Sequence, residues 1–217
     1  MNILLPPPLG TAKPAARGRT SIDLNGFDLM SMADFNKWEI PYRSSFDVGN
    51  PTRMTIRLRV VLRANLTNNG IITKSSLSSS QGDWAVGFFN GSSRAPSFRV
   101  NNNGTTLQSS NTLSLDTMYF IECTYDQSLG SNQLKMFVNG ALDCQGTYTT
   151  AITNNATPIC FGRYFGITGN DFQNGAIFEM EFCASCIRNT VAYTTPALII
   201  PDSQSTVYYR AGVYFPR

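Results

Sequence analysis

Residues 117–182 constrain the fold of this chain more than any other stretch. They read TMYFIECTYDQSLGSNQLKMFVNGALDCQGTYTTAITNNATPICFGRYFGITGNDFQNGAIFEMEF. Short alternating apolar runs are separated by clusters of Asn, Asp, Gly and Ser, the pattern of successive antiparallel strands. At the centre, LKMFV runs into Asn139-Gly140 and then ALDC. A two-residue hairpin turn requires positive φ at both central positions, and Asn-Gly adopts this at least strain. The strands on either side are therefore expected to pair.

The clearest single strand lies upstream, at 54–62. Met54, Ile56, Leu58, Val60 and Leu62 fall on one face, and Thr55, Arg57, Arg59, Val61 and Arg63 on the other. Period two of this clarity predicts a half-buried strand with one wet or contacted face. IITKS, WAVGFFN from Trp84 and SFRV from Ser97 read as further strands, separated by the loops RANLTNNG, SSLSSSQGD and NNNGTTLQSSN. No amphipathic helical period is present, beyond one short turn near Ser31–Phe35.

These pieces, in this order, resemble a known family. A strand ending in Tyr125-Asp126, then LKMFVNGALDCQG, ICFGRYFG and FQNGAIFEMEF, is similar to the second half of a laminin-G-like, concanavalin A-like jelly roll. DLNG at 23–26, WEIP at 38–41, TIRLRVVLRA from Thr55 and GIITKS from Gly70 resemble its first half. The resemblance covers roughly residues 21–188. It implies an all-β fold, a two-sheet antiparallel β-sandwich, with sugar binding or assembly as its uses. Fold alone does not choose between them.

The expected organisation is a Pro-rich basic docking arm at 1–20, the jelly-roll domain at 21–190, and a tail at 191–217. The arm holds Pro6, Pro7, Pro8 and Pro14 and ends in Lys13, Arg17 and Arg19. Such a segment favours extended conformations and cannot build a core. The tail carries the strand-like run TVYYRAGVYF, which is expected either to add an edge strand or to pair with another chain.

Composition removes several chemistries. The chain has no histidine, so the commonest general base and transition-metal ligand are missing, and a His-containing triad is impossible. GxSxG, phosphate-loop and dinucleotide fingerprints are absent as well. A net charge of +3 is too small to argue for nucleic acid, and no apolar run suits a membrane span. The start MNILLPPP reads as no secretory signal. The five cysteines, Cys123, Cys144, Cys160, Cys183 and Cys186, are therefore expected as reduced thiols, and the lone CxxC as chance at a strand end.

Four groups of residues are candidates for function. Glu179 and Glu181 share one strand face, at a spacing that could suit a retaining glycosidase; the expectation is a solvated face and no enzyme. Gly169-Asn170-Asp171 is the place for calcium, though one Asp is a thin ligand set and an Asx turn is favoured; no cofactor is expected. A glycan would need an aromatic platform with planar polar groups, offered by Trp84, Tyr164, Phe165, Asn170, Asp171 and Asn174, although Trp84 leads a strand and burial is its plainer reading. Arg53, Arg57, Arg59 and Arg63 project from one face with no acid in their row, and are expected to meet an anionic partner. The sequons at Asn65, Asn90, Asn103 and Asn155 are expected to go unused.

The reading of function that follows is a non-enzymatic structural virion protein: a bacteriophage capsid decoration, head-fibre or tail component. Lys13, Arg17, Arg19, Tyr208, Tyr209, Tyr214 and Phe215 would then serve assembly with other virion proteins or copies of itself. The alternative is a carbohydrate-binding adhesion module, extracellular or at a cell surface, with a host glycan as partner. A glycoside hydrolase ranks third. Neither nucleic acid nor membrane is expected as a partner.

Overall fold

The computed structural model describes residues 22–23, 38–47, 53–63, 69–75, 82–89, 94–101, 106–162 and 175–214. The strands, in chain order, are β1 (Ile22–Asp23), β2 (Trp38–Ile40), β3 (Arg53–Leu62), β4 (Asn69–Ser75), β5 (Gly82–Phe88), β6 (Ser97–Val100) and β7 (Thr106–Gln108). They continue as β8 (Met118–Asp126), β9 (Leu134–Val138), β10 (Ala141–Gly146), β11 (Ile159–Phe161), β12 (Gly175–Cys183) and β13 (Val207–Tyr214). One 3-10 turn lies at Ser44–Phe46. The short turn expected near Ser31–Phe35 and the arm at 1–20 lie outside the described residues.

Two sheets pack face to face. One has seven strands in the order β1-β13-β12-β3-β8-β9-β10, and the other six, in the order β2-β11-β4-β5-β6-β7. Pairing is antiparallel except between β1 and β13. The alternation of β3 decides which residues lie between the sheets: Met54, Ile56, Leu58, Val60 and Leu62 are all 0% exposed. Burying five such side chains is worth on the order of 10 kcal/mol before the opposing loss of chain entropy. Aromatic pairs join the sheets, with Trp84 of β5 against Phe182 of β12 at 4.9 Å and Phe161 of β11 against Tyr209 of β13 at 5.8 Å between ring centroids.

The expected hairpin joins β9 and β10, with Val138 opposite Ala141. Asn139 and Gly140 take φ of 50° and 80°. Asn139 also ties the turn to β8: its backbone N–H donates to the Phe120 carbonyl at 2.8 Å, and its Oδ1 accepts from the Phe120 N–H at 2.9 Å.

The strand-like run in the tail is β13, which lies beside β12 in the chain's own sheet, with Phe182 opposite Val207. The connection between them, residues 184–206, is a strap across the outer face of the seven-stranded sheet. Tyr193 of the strap donates its backbone N–H to the Gly140 carbonyl at 2.8 Å and packs its ring against Phe137 and Phe120. Phe120, Ile199 and Tyr208 form a small second core beneath it. Tyr208 and Tyr209 are 4% and 1% exposed, so packing within the chain accounts for the burial of both, contrary to the expectation that they serve an interface. The side chain of Tyr214 and all of Phe215 lie outside the described set.

The thiol expectation is corrected at one site: Cys183 and Cys186 are joined in a disulfide. The chain reverses as β12 gives way to the strap, bringing their Cα atoms to 5.7 Å, within bridging range. Cys123, Cys144 and Cys160 form no disulfide among the described residues. Burial raises the Cys123 thiol well above its ordinary value and the Cys144 thiol to about 12, so neither is a nucleophile at neutral pH.

Candidate functional site

The two glutamates of β12 are not a solvated face. Glu179 and Glu181 are 2% and 0% exposed, because the strap covers them. Glu181 pairs with Arg57 across the strand ladder and with Arg188 of the strap at 2.6 Å. Glu179 accepts from Arg59 and Arg210, each at 3.0 Å, and from the Ile199 N–H at 3.2 Å. Each carboxylate thus faces two guanidinium groups.

The same contacts correct the expectation for the arginine row. No acid interrupts β3, but the register sets Glu181 opposite Arg57 and Glu179 opposite Arg59 on β12, and Glu122 opposite Arg57 on β8. Arg59 also donates to the Pro196 carbonyl of the strap at 2.7 Å. Arg53 pairs with Asp126 at 3.1 Å and reaches Ser128, and Arg63 is exposed at the strand end. The middle of the row therefore binds the chain's own strap and adjoining strands.

Glu122 is the third carboxylate beneath the strap. It accepts from Asn189 Nδ2 at 2.8 Å and from the Tyr193 hydroxyl at 2.8 Å. Burial raises its pKa, against the lowering effect of those donors and of Arg57. Asp202 behaves oppositely: its hydrogen bonds to Arg188 hold it well below the carboxylate range. A depressed carboxylate adds stability above its unfolded pKa and loses it as pH falls through the folded value. Wild-type urea midpoints should therefore drop on acidification, and the Asp202→Asn variant should show a smaller drop between neutral and acid pH.

A different cluster lies at one end of the six-stranded sheet, where the segment after β2, the end of β4, the start of β5 and residues 147–158 converge. Lys74 on β4 is 0% exposed and is in direct contact with Asp83 Oδ2 on β5. It also donates to the Asn155 carbonyl at 2.8 Å and to Asp47 Oδ1 at 3.4 Å. Asn155 returns three contacts to the Asp83 carboxyl, from its backbone N–H to both oxygens and from Nδ2 at 2.6 Å. Burial raises the pKa of Asp83, with Lys74 and Asn155 opposing. Above Lys74 lies Tyr42, whose ring centroid is 5.7 Å from Nζ and whose hydroxyl donates to Asp47 Oδ2 at 2.9 Å. Tyr42 is the one aromatic side chain in the exposed class among the described residues.

Nothing in the period-two pattern singled out Tyr42, Asp47, Lys74 or Asp83. The one available signal was a lysine and an aspartate at the inner ends of IITKS and GDWAV, two runs expected to be neighbouring strands. Trp84 beside Asp83 offers no sugar platform, since it faces the core and is 0% exposed. Tyr164, Phe165, Asn170, Asp171 and Asn174, and with them the proposed calcium loop, lie outside the described residues. So do the sequons at Asn65, Asn90 and Asn103. Among the described residues no group of three or more His, Cys, Asp or Glu is placed to hold a metal ion, and no helix is long and apolar enough to cross a membrane.

A family model described as the concanavalin A-like lectin/glucanases superfamily matches residues 39–187. No curated protein sequence matches the chain. Among solved structures it is similar to a provisionally assigned carbohydrate binding protein from Bacteroides ovatus, at TM-score 0.61 and 14% identity over 81% of this chain and 49% of that one. It is similar to the binding domain of botulinum neurotoxin DC, solved with rat synaptotagmin II, at TM-score 0.50 and 16% identity over 70% of this chain and 37% of that one. A heptameric SAP-like pentraxin from Limulus polyphemus follows at TM-score 0.46 and 11% identity, over 71% of this chain and 79% of that one. The chain spans about half the length of the Bacteroides ovatus protein. At these identities the likeness is one of fold.

Proposed function

Because the chain belongs to the concanavalin A-like lectin/glucanases superfamily, we propose that it is a carbohydrate-binding module without catalytic activity. The observation that carries this reading is the rim at Tyr42. A sugar site needs an apolar ring face with a few fixed polar groups beside it. Tyr42 supplies the ring, its hydroxyl is held by Asp47, and exposed Arg43, Ser44 and Ser45 follow directly in the chain. The non-catalytic half rests on β12. Glu179 and Glu181 are covered and each is paired with two arginines, so neither is placed to protonate or attack a glycosidic bond.

The test is binding of the purified chain to a panel of immobilised glycans, followed by titration calorimetry with any that bind. Tyr42→Ala should weaken binding about tenfold or more, roughly 1.4 kcal/mol, with an unchanged unfolding midpoint. No glycan bound, or equal binding by the variant, overturns the site. Turnover of a polysaccharide by the wild type overturns the non-catalytic half.

A second reading, an assembly module that docks on a protein neighbour, is favoured by the strap. Val191, Leu198 and Ile200 are 69%, 51% and 77% exposed, and residues 189–201 contain no charged side chain. Such a surface suits a protein neighbour better than a sugar.

A further inference from the structure

The rim cluster holds more than a binding surface requires. Lys74 Nζ and the Asp83 carboxyl touch across adjacent antiparallel strands, and both side chains are removed from solvent. A second carboxylate, Asp47, lies within reach of the same nitrogen and is 31% exposed, giving it access to water. The Asn155 N–H and Nδ2 both aim at the Asp83 carboxyl oxygens. Nucleophile and acyl carbon are therefore buried together, with a proton acceptor and oxyanion donors beside them.

We propose that Lys74 and Asp83 form an intramolecular amide cross-link between β4 and β5. The reacting form is the neutral pair, amine and carboxylic acid, reached when the ammonium proton passes to the Asp83 carboxylate. The amine nitrogen attacks Cγ of Asp83, and the N–Cγ bond forms. Asp47 takes the proton released from Nζ. The oxygen that gains charge in the tetrahedral intermediate is held by the Asn155 donors. Collapse breaks one Cγ–O bond, and Asp47 returns the proton to the departing oxygen, which leaves as water. Amine plus carboxylic acid gives amide plus water, with no oxidant, reductant or further reactant. The two groups are held together by the fold, so a step that is slow between free molecules becomes a reaction at high effective concentration. Burial of Asp83, which raises its pKa, keeps the protonated acid accessible.

An ion pair and an amide differ by one molecule of water, which makes the proposal directly testable. The full chain is denatured, reduced and digested with trypsin. Unmodified Lys74 is cut, giving peptides 64–74 and 75–94 at their sequence masses. The cross-link resists cutting at Lys74 and gives a single peptide 64–94, one water lighter than its sequence mass, with fragmentation placing the link at Lys74 and Asp83. Recovery of only the two separate peptides from the folded wild type overturns the proposal. Asp83→Ala should restore cleavage at Lys74; a persisting link in that variant would overturn the assignment of the acyl carbon. Asp47→Asn should form the link about a hundredfold more slowly, and formation at the wild-type rate would remove Asp47 from the reaction. The wild-type digest decides the matter even if a variant fails to fold.

Discussion

Gly140→Ala should destabilise the protein by at least about 3 kcal/mol, which would place it among the costlier single substitutions. Two effects combine. Gly140 sits at φ +80°, where a side chain costs about 1 kcal/mol. An added Cβ would also lie 2.0 Å from the Tyr193 carbonyl oxygen, a backbone atom that cannot swing aside. The strap must move, and with it go the Tyr193 contacts to Phe137 and Glu122. Gly130→Ala is the control: no atom lies within 4 Å of its Cβ position, so its effect should stay within about 0.5 kcal/mol. Urea unfolding of both variants checks the pair, and equal midpoints would mean that the hairpin and the strap are not coupled.

Glu181→Ala should cost about 3–5 kcal/mol, the range for leaving buried charges without a partner. The carboxylate faces Arg57 and Arg188 and also accepts from the Ser205 hydroxyl, and both arginine side chains are only 12% exposed. Its removal leaves two guanidinium groups together beneath the strap. Pairing the change with Arg57→Met should restore part of the loss, because one orphaned charge goes too. If the double variant is no more stable than the single one, Arg57 is not the charge that matters. Proteolysis offers a second readout, since residues 184–206 should become the first site of cleavage.

What could be read in the residues followed from period and turn chemistry. The face of β3 that enters the core was evident because alternation over nine residues admits one register, and Asn139-Gly140 was evident because few dipeptides tolerate positive φ twice. The arginine row was visible, but its partners were not. Glu179 and Glu181 lie 120 and 124 residues from Arg59 and Arg57, and pairing across a sheet leaves no mark in either strand alone. The acids and the arginines were each seen as a solvated or outward face, when each was the answer to the other.

The strap was missed for a related reason. Residues 191–206 have neither strand nor helix period, so they read as the start of a tail, and burial of Tyr193 and Ile199 depends on a surface made by other strands. Cys183 and Cys186 looked accidental because their spacing alone does not report the chain reversal between them. The rim was illegible because Lys74 and Asp83 are ordinary polar residues at strand ends, and only the β4–β5 register together with Asn155 brings them to one place. Trp84 was the converse case: an aromatic at a strand start can face either side, and the core took it.

The parallel pairing of β1 with β13 also sets an order of events during synthesis. Ile22 and Asp23 meet Val207 and Tyr208, and among the described residues no nearer segment is paired with them. At cellular rates of elongation, β1 waits on the order of ten seconds before β13 has been made. Over the last part of that interval β12 is complete, but the edge that will receive β13 stays open. The β12 edge of a newly made chain is therefore open to edge-to-edge association until β13 emerges.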